Sequence, residues 1–438
     1  MYDTLKTDGD TSWFVKDRFG MFIHWGLYAL PARHEWVRNV ECITNEEYEK
    51  YFKHFDPDLY DPEKWAELAW NAGMKYFVIT TKHHEGFCLW DSKMTDYKAT
   101  NTPYGKDVLT PMVNAFRGQG MKVGFYHSLI DWHHPDFPID NIHPLRNLPE
   151  KEAVEMNKTR DIAKYREYLH AQVKELLTQF GKIDVMWFDF SYPDGDKKLF
   201  PYFDGKGHED WGSAELYKMI RQYQPQVILD DRLDLEGTWD FKSPEQWQPE
   251  EWITYKGQKV VWEACQTFSG SWGYHRDEAN WKSPRQLITM LADTVSKGGN
   301  LLLNVGPTGR GEFDYRAVER LKAIGDWMYY NNQAIYGCTQ APAEFKVANG
   351  NILTYNPEKN RLYIHLVNYP VIGTMKLYCD PKKIEYVQFL HDHSEIRLNA
   401  DNMYGSNGSN DANNGTVLCM PALKPKVEIP VVEVFLKK

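Results

Sequence analysis

"DVMWFDF", residues 184–190, reads as a β-strand that ends on a carboxylate. Strand side chains alternate between faces, so Val185, Trp187 and Asp189 share one side while Met186 and Phe188 take the other. An acid in that position either caps the next loop, pairs with an arginine, or serves a functional rim. The surrounding sequence decides which frame it belongs to.

Outward from this stretch, a strand-then-helix rhythm runs from about residue 18 to 335. The strand candidates are FGMFIHWG (19–26), KYFVITTKHH (75–84), KVGFYHSLIDW (122–132), VILDDR (227–232), VVWEACQ (260–266) and NLLLNVGP (300–307). Helical patterns separate them, among them DPEKWAELAWNAG, DVLTPMVNAFRGQG, one long pattern over 151–181 and SPRQLITMLADTVSKGG. The alternation predicts parallel strands with helical crossovers, hence an α/β chain with a (β/α)8-like barrel or an incomplete variant of one.

The connections are lopsided. Helix-to-strand links are short and carry glycine (NAGMK, RGQGMK, QFGKID, SKGGN), whereas strand-to-helix links at 133–150, 191–212, 233–259 and 267–282 are long. Structureless loops beyond about 12–15 residues are uncommon unless they are functional. In a barrel all strand-to-helix loops gather on one rim, where active sites are built. After Gly337 the pattern becomes short β-like segments punctuated by Gly, Asn and Pro, predicting a C-terminal antiparallel β-sandwich. The expected division is therefore a barrel over 1–336 and a sandwich over 337–438. The tract NADNMYGSNGSNDANNG (399–415) reads as one loop.

Composition narrows the function classes. The 438 residues carry a net charge of -10 and no basic run, which disfavours nucleic acid and anionic membranes as partners. No window reaches the roughly 18–20 apolar residues of a membrane helix. The opening MYDTLKTDGD lacks an apolar core, so the cytoplasm is the expected compartment, or the periplasm or exterior if a leader has been removed. Six scattered cysteines without a C-x-x-C pair argue against a zinc site and a disulfide scaffold. Aromatic residues reach 15 %, and their faces suit the C–H faces of sugars as well as a large core.

Nearly every predicted strand stops at a polar or ionisable residue on the same rim: His24, His83 with His84, Tyr126, Asp189, Arg232, Glu263 and Asn304. One such residue is a satisfied polar group; seven strands doing so together make a polar pocket. Metal chemistry is not expected, because His83 and His84 are adjacent and no H-x-H, H-E-x-x-H or carboxylate cluster occurs. No G-x-S-x-G offers a serine nucleophile, and NVGPTGRG (304–311) lacks the rest of a P-loop. Carboxylates, histidines, tyrosine, arginine and many tryptophans remain, a set that fits glycoside hydrolysis. Asp189 suits the nucleophile, with Trp187 on the same side to support a sugar face. Its partner acid should lie on a rim loop, the candidates being Glu245 in WDFKSPEQW, Glu263 in VVWEACQ and Glu35 in RHEW.

These residues also match a known family. GMFIHWG (20–26), HEW (34–36), TKHHEGFCLWD (81–91), GFYHS (124–128), DVMWFDF, DDR (230–232), WEACQTFSGSWGY (262–274) and GGNLLLNVGPTGRG (298–311) run in order through the first 335 residues. On them the chain resembles the retaining exo-α-L-fucosidases of glycoside hydrolase family 29. The resemblance implies a (β/α)8-like barrel followed by a β-sandwich, hydrolysis of terminal α-linked L-fucose with retention, and no cofactor. It implies Asp189 as nucleophile and sugar contacts from His24, His83, His84, Tyr126, Trp187 and Arg232. Glu35 and Trp36 match the family's E-W pair near the sugar, and Trp272 the aromatic wall against the C5 methyl of fucose. The acid/base transfers to Glu245, with Trp239 and Trp247 as apolar cover and Glu263 as rival or substrate-orienting residue. The expected partner is a fucosylated oligosaccharide or glycoside, and a homo-oligomer is compatible with the sequence. A related sugar such as an α-L-galactoside, or a catalytically dead sugar receptor, are the alternative readings.

Overall fold

The computed structural model describes residues 3–193, 205–399 and 415–437. Seven strands form one parallel sheet: β1 (Phe19–Ile23), β2 (Tyr76–Lys82), β3 (Lys122–Ser128), β4 (Val185–Asp189), β5 (Ile228–Leu229), β6 (Glu263–Thr267) and β7 (Asn300–Val305). Their spatial order is β5-β4-β3-β2-β1-β7-β6, and every neighbouring pair runs parallel. The sheet curls, and strand alternation divides its side chains into two cores. Val185 and Trp187 pack inside the curl with Phe22, Tyr126 and Leu302. Met186 and Phe188 face outward and join the larger core under the helices with Met21, Ile23 and Leu303.

The curl leaves β5 and β6 as its two edges, and an irregular segment, 240–246, spans the gap between them. The backbone N–H groups of Asp240 and Phe241 donate to Leu229 O at 2.8 and 3.2 Å on the β5 side. On the β6 side Lys242 N donates to Val261 O (2.9 Å), Cys265 N to Pro244 O (3.1 Å) and Gln246 N to Cys265 O (3.0 Å). Backbone polar groups buried at a sheet edge demand partners, and this segment supplies them without being a regular strand; Pro244, with no N–H, would interrupt one. The narrow interior also dictates a glycine. A Cβ at Gly20 would collide with the Tyr76 ring, which fills the lower barrel.

Two expected strands are shorter than their apolar runs. VILDDR keeps only Ile228 and Leu229 in the sheet, and VVWEACQ is paired from Glu263 to Thr267, three residues later than its hydrophobicity begins. The helix pattern over 151–181 is two helices, Glu150–Asn157 and Ile162–Gln179. Asp161 causes the break: it adopts an extended backbone and its carboxylate accepts from Ala163 N at 2.9 Å, capping the second helix.

Beyond residue 337 two antiparallel sheets face each other. One has five strands in the order Thr339–Gln340, Ile352–Asn356, Arg361–His365, Val431–Leu436 and Ile384–Phe389; the other has four, in the order Lys346–Val347, Thr374–Tyr378, Thr416–Cys419 and Leu398–Asn399. Leu362, Ile364, Val432 and Val434 fill the space between the sheets with Leu377 and Leu418. Tyr363 and Val431, on the opposite face, join the core under the barrel helices, where the Trp327 indole donates to Ile429 O at 2.8 Å. Residues 400–414 of the expected 399–415 loop, and 194–204 of the loop after β4, lie outside the described residues. No described helix is long and apolar enough to cross a membrane.

Candidate active site

Asp189 ends β4 at the rim, where two groups hold its carboxylate and a third stands close. Arg232, from the loop after β5, reaches Oδ1 through Nη1 at 2.7 Å; the Tyr126 hydroxyl from β3 donates to Oδ2 at 2.8 Å; His84 Nε2 lies 3.7 Å from Oδ2. Burial alone would push this carboxyl up, but the guanidinium and the Tyr126 hydroxyl outweigh it and hold Asp189 below the ordinary aspartate value. Asp189 is therefore ionised at neutral pH.

The other arm of Arg232 reaches a second carboxylate. Its Nη2 lies 2.8 Å from Glu245 Oε2, so one planar guanidinium bridges Asp189 and Glu245. Glu245 sits on the segment 240–246 that spans the barrel edges. The same segment steadies the arginine, whose Nε and Nη2 donate to the hydroxyl and carbonyl of Ser243, both at 3.3 Å. Beneath it, the Arg232 Cζ stands 4.4 Å from the Trp187 ring centroid, a cation–π stack inside the barrel mouth.

Both carboxylates precede a strained residue. Phe190 follows Asp189 at φ 81° and Gln246 follows Glu245 at φ 60°; His34, before Glu35, has φ 65°. Non-glycine side chains in this left-handed region cost about 1–2 kcal/mol each. Such strain concentrates where a side chain must be aimed.

The hydrogen bonds also fix two histidine tautomers. Ser128 Oγ donates its only proton to Ile130 O at 2.7 Å, so at its 2.7 Å contact with His84 Nδ1 it can only accept. His84 then carries its proton on Nδ1 and turns a bare Nε2 to the pocket. Asn304 Nδ2 donates to Trp272 O at 2.6 Å, which turns its Oδ1 to His24 Nδ1 at 2.7 Å. His24 is thereby also an Nδ1–H tautomer with an open Nε2. Burial pushes His24 down to about 3 and His84 down to about 4, so both are neutral acceptors for hydroxyl hydrogens. Ser128→Ala would leave His84 Nδ1–H without its acceptor, a loss of about 1–3 kcal/mol. The expected result is a roughly tenfold or greater fall in kcat/KM together with a changed His84 tautomer, both read by kinetics and by 15N imidazole NMR.

Together these groups line a pocket of about 130 Å³, room for one sugar ring. Ten of the twelve residues expected from sequence line it: His24, Trp36, His83, His84, Tyr126, Trp187, Asp189, Arg232, Glu245 and Trp272. Trp272 tilts over His24 with centroids 5.1 Å apart and meets Phe22 at 5.9 Å, making an apolar wall with Cys265. Trp36 stands edge-on to His84 and Trp132. Through Asp189, Phe190 and Arg232 the pocket opens into a wider cleft bordered by Asn141, Ile142, Ser191, Tyr192 and Asp231.

Two expected residues stand elsewhere. Glu35 does not line the pocket; its Oε2 accepts from the backbone N–H groups of Trp272 (3.1 Å) and Gly273 (2.7 Å), so it anchors the loop carrying the aromatic wall. Glu263 is also absent from the lining and has no exposed surface. As the first residue of β6 rather than one near its end, it lies toward the barrel floor, where Tyr76 donates to it. The expected apolar cover of Glu245 differs too: Trp247 is 55 % exposed, and Trp239 packs on Lys242 and Tyr255. Sequence reasoning missed Ser128, Phe22, Cys265 and Phe190; alternation offered a signal for the first three, which lie two residues from Tyr126, His24 and Glu263 on the inward faces of their strands, and none for Phe190. Among the described residues no group of three or more His, Cys, Asp or Glu side chains could hold a metal ion.

The buried acids and histidines pull stability in opposite directions. Burial pushes Glu35 and Glu85 up to about 7 and Glu263 up to about 8 from 4.5, so the folded state binds extra protons as pH rises above 4.5, and stability falls through pH 7–8. The histidines at about 3 and 4 reject protons that the unfolded chain accepts below 6.5, so stability falls as pH drops from 6.5. Each group contributes up to about 1.4 kcal/mol per pH unit within its window. The two effects oppose each other between pH 4.5 and 6.5, so the melting temperature is expected to be highest within that window, to fall above about pH 6.5 where the acids act alone, and to fall below about pH 4.5 where the histidines do, as measured by calorimetry.

A family model described as "Alpha-L-fucosidase" matches residues 2–333. Among solved structures, the chain is similar to alpha-L-fucosidase isoenzyme 1 from Paenibacillus thiaminolyticus, at 43 % identity and TM-score 0.87, covering 98 % of this chain and 99 % of that one. It is also similar to an alpha-L-fucosidase GH29 from Bacteroides thetaiotaomicron, trapped as a covalent intermediate with 2-fluoro-fucosyl fluoride in a glutamate-to-glutamine mutant; identity is 27 %, TM-score 0.82, and coverage 100 % and 98 %. Among curated proteins, the alpha-L-fucosidase of Dictyostelium discoideum is 28 % identical over 411 residues, 86 % of this chain and 82 % of that protein.

Proposed function

The chain belongs to the alpha-L-fucosidase family, glycoside hydrolase family 29, and from that premise we propose that it removes terminal α-linked L-fucose by double displacement through Asp189 and Glu245. It is a glycoside hydrolase of the alpha-L-fucosidase type. The observation that carries the residue assignment is the shared guanidinium of Arg232, which brings the two carboxylates to one place at the pocket. A retaining pair needs its carboxyl groups about 5–5.5 Å apart.

The Asp189 carboxylate attacks C1 while Glu245 gives a proton to the glycosidic oxygen, releasing the aglycone into the wider cleft. The C–O bond to the aglycone breaks as the ester bond to Asp189 forms. Glu245, having given its proton to the leaving oxygen, is left as the base that the second step requires. Glu245 takes a proton from water, whose oxygen attacks C1; the ester breaks and fucose leaves with its original configuration. The bare Nε2 atoms of His24 and His84 accept sugar hydroxyl hydrogens. The C5 methyl of fucose lies against Trp272, where it leaves water at no cost in hydrogen bonds. Residues 1–336 form the catalytic unit in this reading and 337–438 the appended sandwich.

The test is the stereochemistry and site of reaction. During hydrolysis of an aryl α-L-fucoside the α-anomer of fucose is expected first by NMR, and 2-deoxy-2-fluoro-α-L-fucosyl fluoride is expected to label the peptide containing Asp189. Initial release of the β-anomer, or a label on another residue, overturns the proposal.

A further inference from the structure

Below the sugar pocket the barrel interior holds a polar core that the reaction does not touch. Tyr76 on β2 donates its hydroxyl to Glu263 Oε2, and Asn300 on β7 approaches the same hydroxyl at 3.5 Å. Two buried polar atoms remain without a hydrogen-bond partner here: Oε1 of Glu263 and the indole Nε1 of Trp187. They belong to neighbouring groups, since the Trp187 indole stands near enough to the Glu263 carboxyl to influence it. Buried polar atoms left unpaired are costly, so a donor and an acceptor orphaned side by side satisfy each other with a small adjustment. The upper face of Trp187 carries the Arg232 guanidinium at 4.4 Å, and that guanidinium holds both carboxylates. A continuous stack therefore runs from Tyr76 through Glu263, Trp187 and Arg232 to Asp189 and Glu245.

We infer that Glu263 is a positioning residue, which fixes the Trp187 indole from below and so sets the plane on which Arg232 aligns the two carboxylates. It touches neither substrate nor reacting atoms. Burial pushes its carboxyl up to about 8, so at neutral pH it is mainly uncharged and brings no rival anion beneath Arg232. Glutamine would preserve that state, offering one acceptor and one donor in the same shape, whereas leucine would orphan both the indole N–H and the Tyr76 hydroxyl. The inference rests on Asp189 being the labelled nucleophile, and the experiment separates the two ideas.

The experiment compares wild type, Glu263→Leu and Glu263→Gln at neutral pH. It measures the rate at which 2-deoxy-2-fluoro-α-L-fucosyl fluoride labels Asp189 per folded molecule, with kcat and KM on an aryl fucoside and tryptophan fluorescence. Displacing a catalytic group by a fraction of its contact distance costs up to about 10²-fold. Glu263→Leu is expected to slow labelling and kcat by about 10–100-fold with KM changed less than about threefold, and to alter the tryptophan emission. Glu263→Gln is expected to restore the rate to within about threefold of wild type. A folded Glu263→Leu that labels at the wild-type rate overturns the inference, because a purely structural role would lower melting temperature alone. Should Glu263→Leu not fold, Tyr76→Phe removes the support of Glu263 from below, and a folded Tyr76→Phe labelling at the wild-type rate overturns it equally. Wild type failing to label Asp189 would instead refute the nucleophile assignment.

Discussion

Asp189→Ala is expected to lower kcat for an aryl α-L-fucoside by roughly 10⁴-fold or more, the scale seen when a covalent nucleophile is removed. Two losses combine in that number. The carboxylate that forms the ester disappears, and Arg232, which holds Asp189 Oδ1 at 2.7 Å, is left with Glu245 as its one ion-pair partner among the described residues. The cavity that remains admits a small anion beside the guanidinium. Added azide should therefore restore turnover and give the β-fucosyl azide, since it attacks C1 directly from the face that Asp189 used. The melting temperature should fall as well, because the contacts of Asp189 outweigh the desolvation of its charge and alanine leaves Arg232 half-paired. Retention of near-normal turnover, or formation of the α-azide, would remove Asp189 from the mechanism.

Glu245→Ala should behave differently by substrate. General acid–base assistance contributes about 10²–10⁴-fold, and it matters most when the leaving group is reluctant. A fucosyl oligosaccharide should lose about that factor in kcat, while an activated aryl fucoside should keep much of its first step and stall at ester hydrolysis. Azide should rescue the second step and yield the α-fucosyl azide, the opposite anomer from the Asp189 variant. Normal cleavage of oligosaccharides by Glu245→Ala would transfer the acid/base role elsewhere. Glu263 is a poor second choice, since it is fully buried and separated from the pocket by Trp187.

The barrel was legible in the sequence because two independent signals agreed. Period-two alternation placed Trp187 and Asp189 on the inside of β4, and long strand-to-helix loops marked the working rim. Strand limits were less legible where an apolar run outlasts its pairing. VVWEACQ reads as one strand, yet only Glu263 onward pairs with β7, which shifts that glutamate from the rim to the floor. The segment 240–246 gave no strand signal at all, for it contains Pro244 and pairs through scattered backbone contacts. Its glutamate was found through family resemblance rather than through any period. The left-handed backbone of Phe190 and Gln246 has no sequence signature, since neither glycine nor asparagine occupies these positions. Histidine tautomers are likewise invisible until Ser128 and Asn304 are seen to have spent their own protons elsewhere.

The two carboxylates stand on foundations of unequal firmness. Asp189 closes a strand with regular neighbours, whereas Glu245 rides on an improvised suture between the barrel's free edges, held by a handful of main-chain contacts. As temperature approaches the melting range, the suture should loosen first. Cleavage of sluggish oligosaccharides would then fade several degrees before cleavage of reactive aryl fucosides. Thermal inactivation would thus be a matter of which bond is asked to break, with the enzyme losing its discriminating chemistry while its simpler chemistry persists.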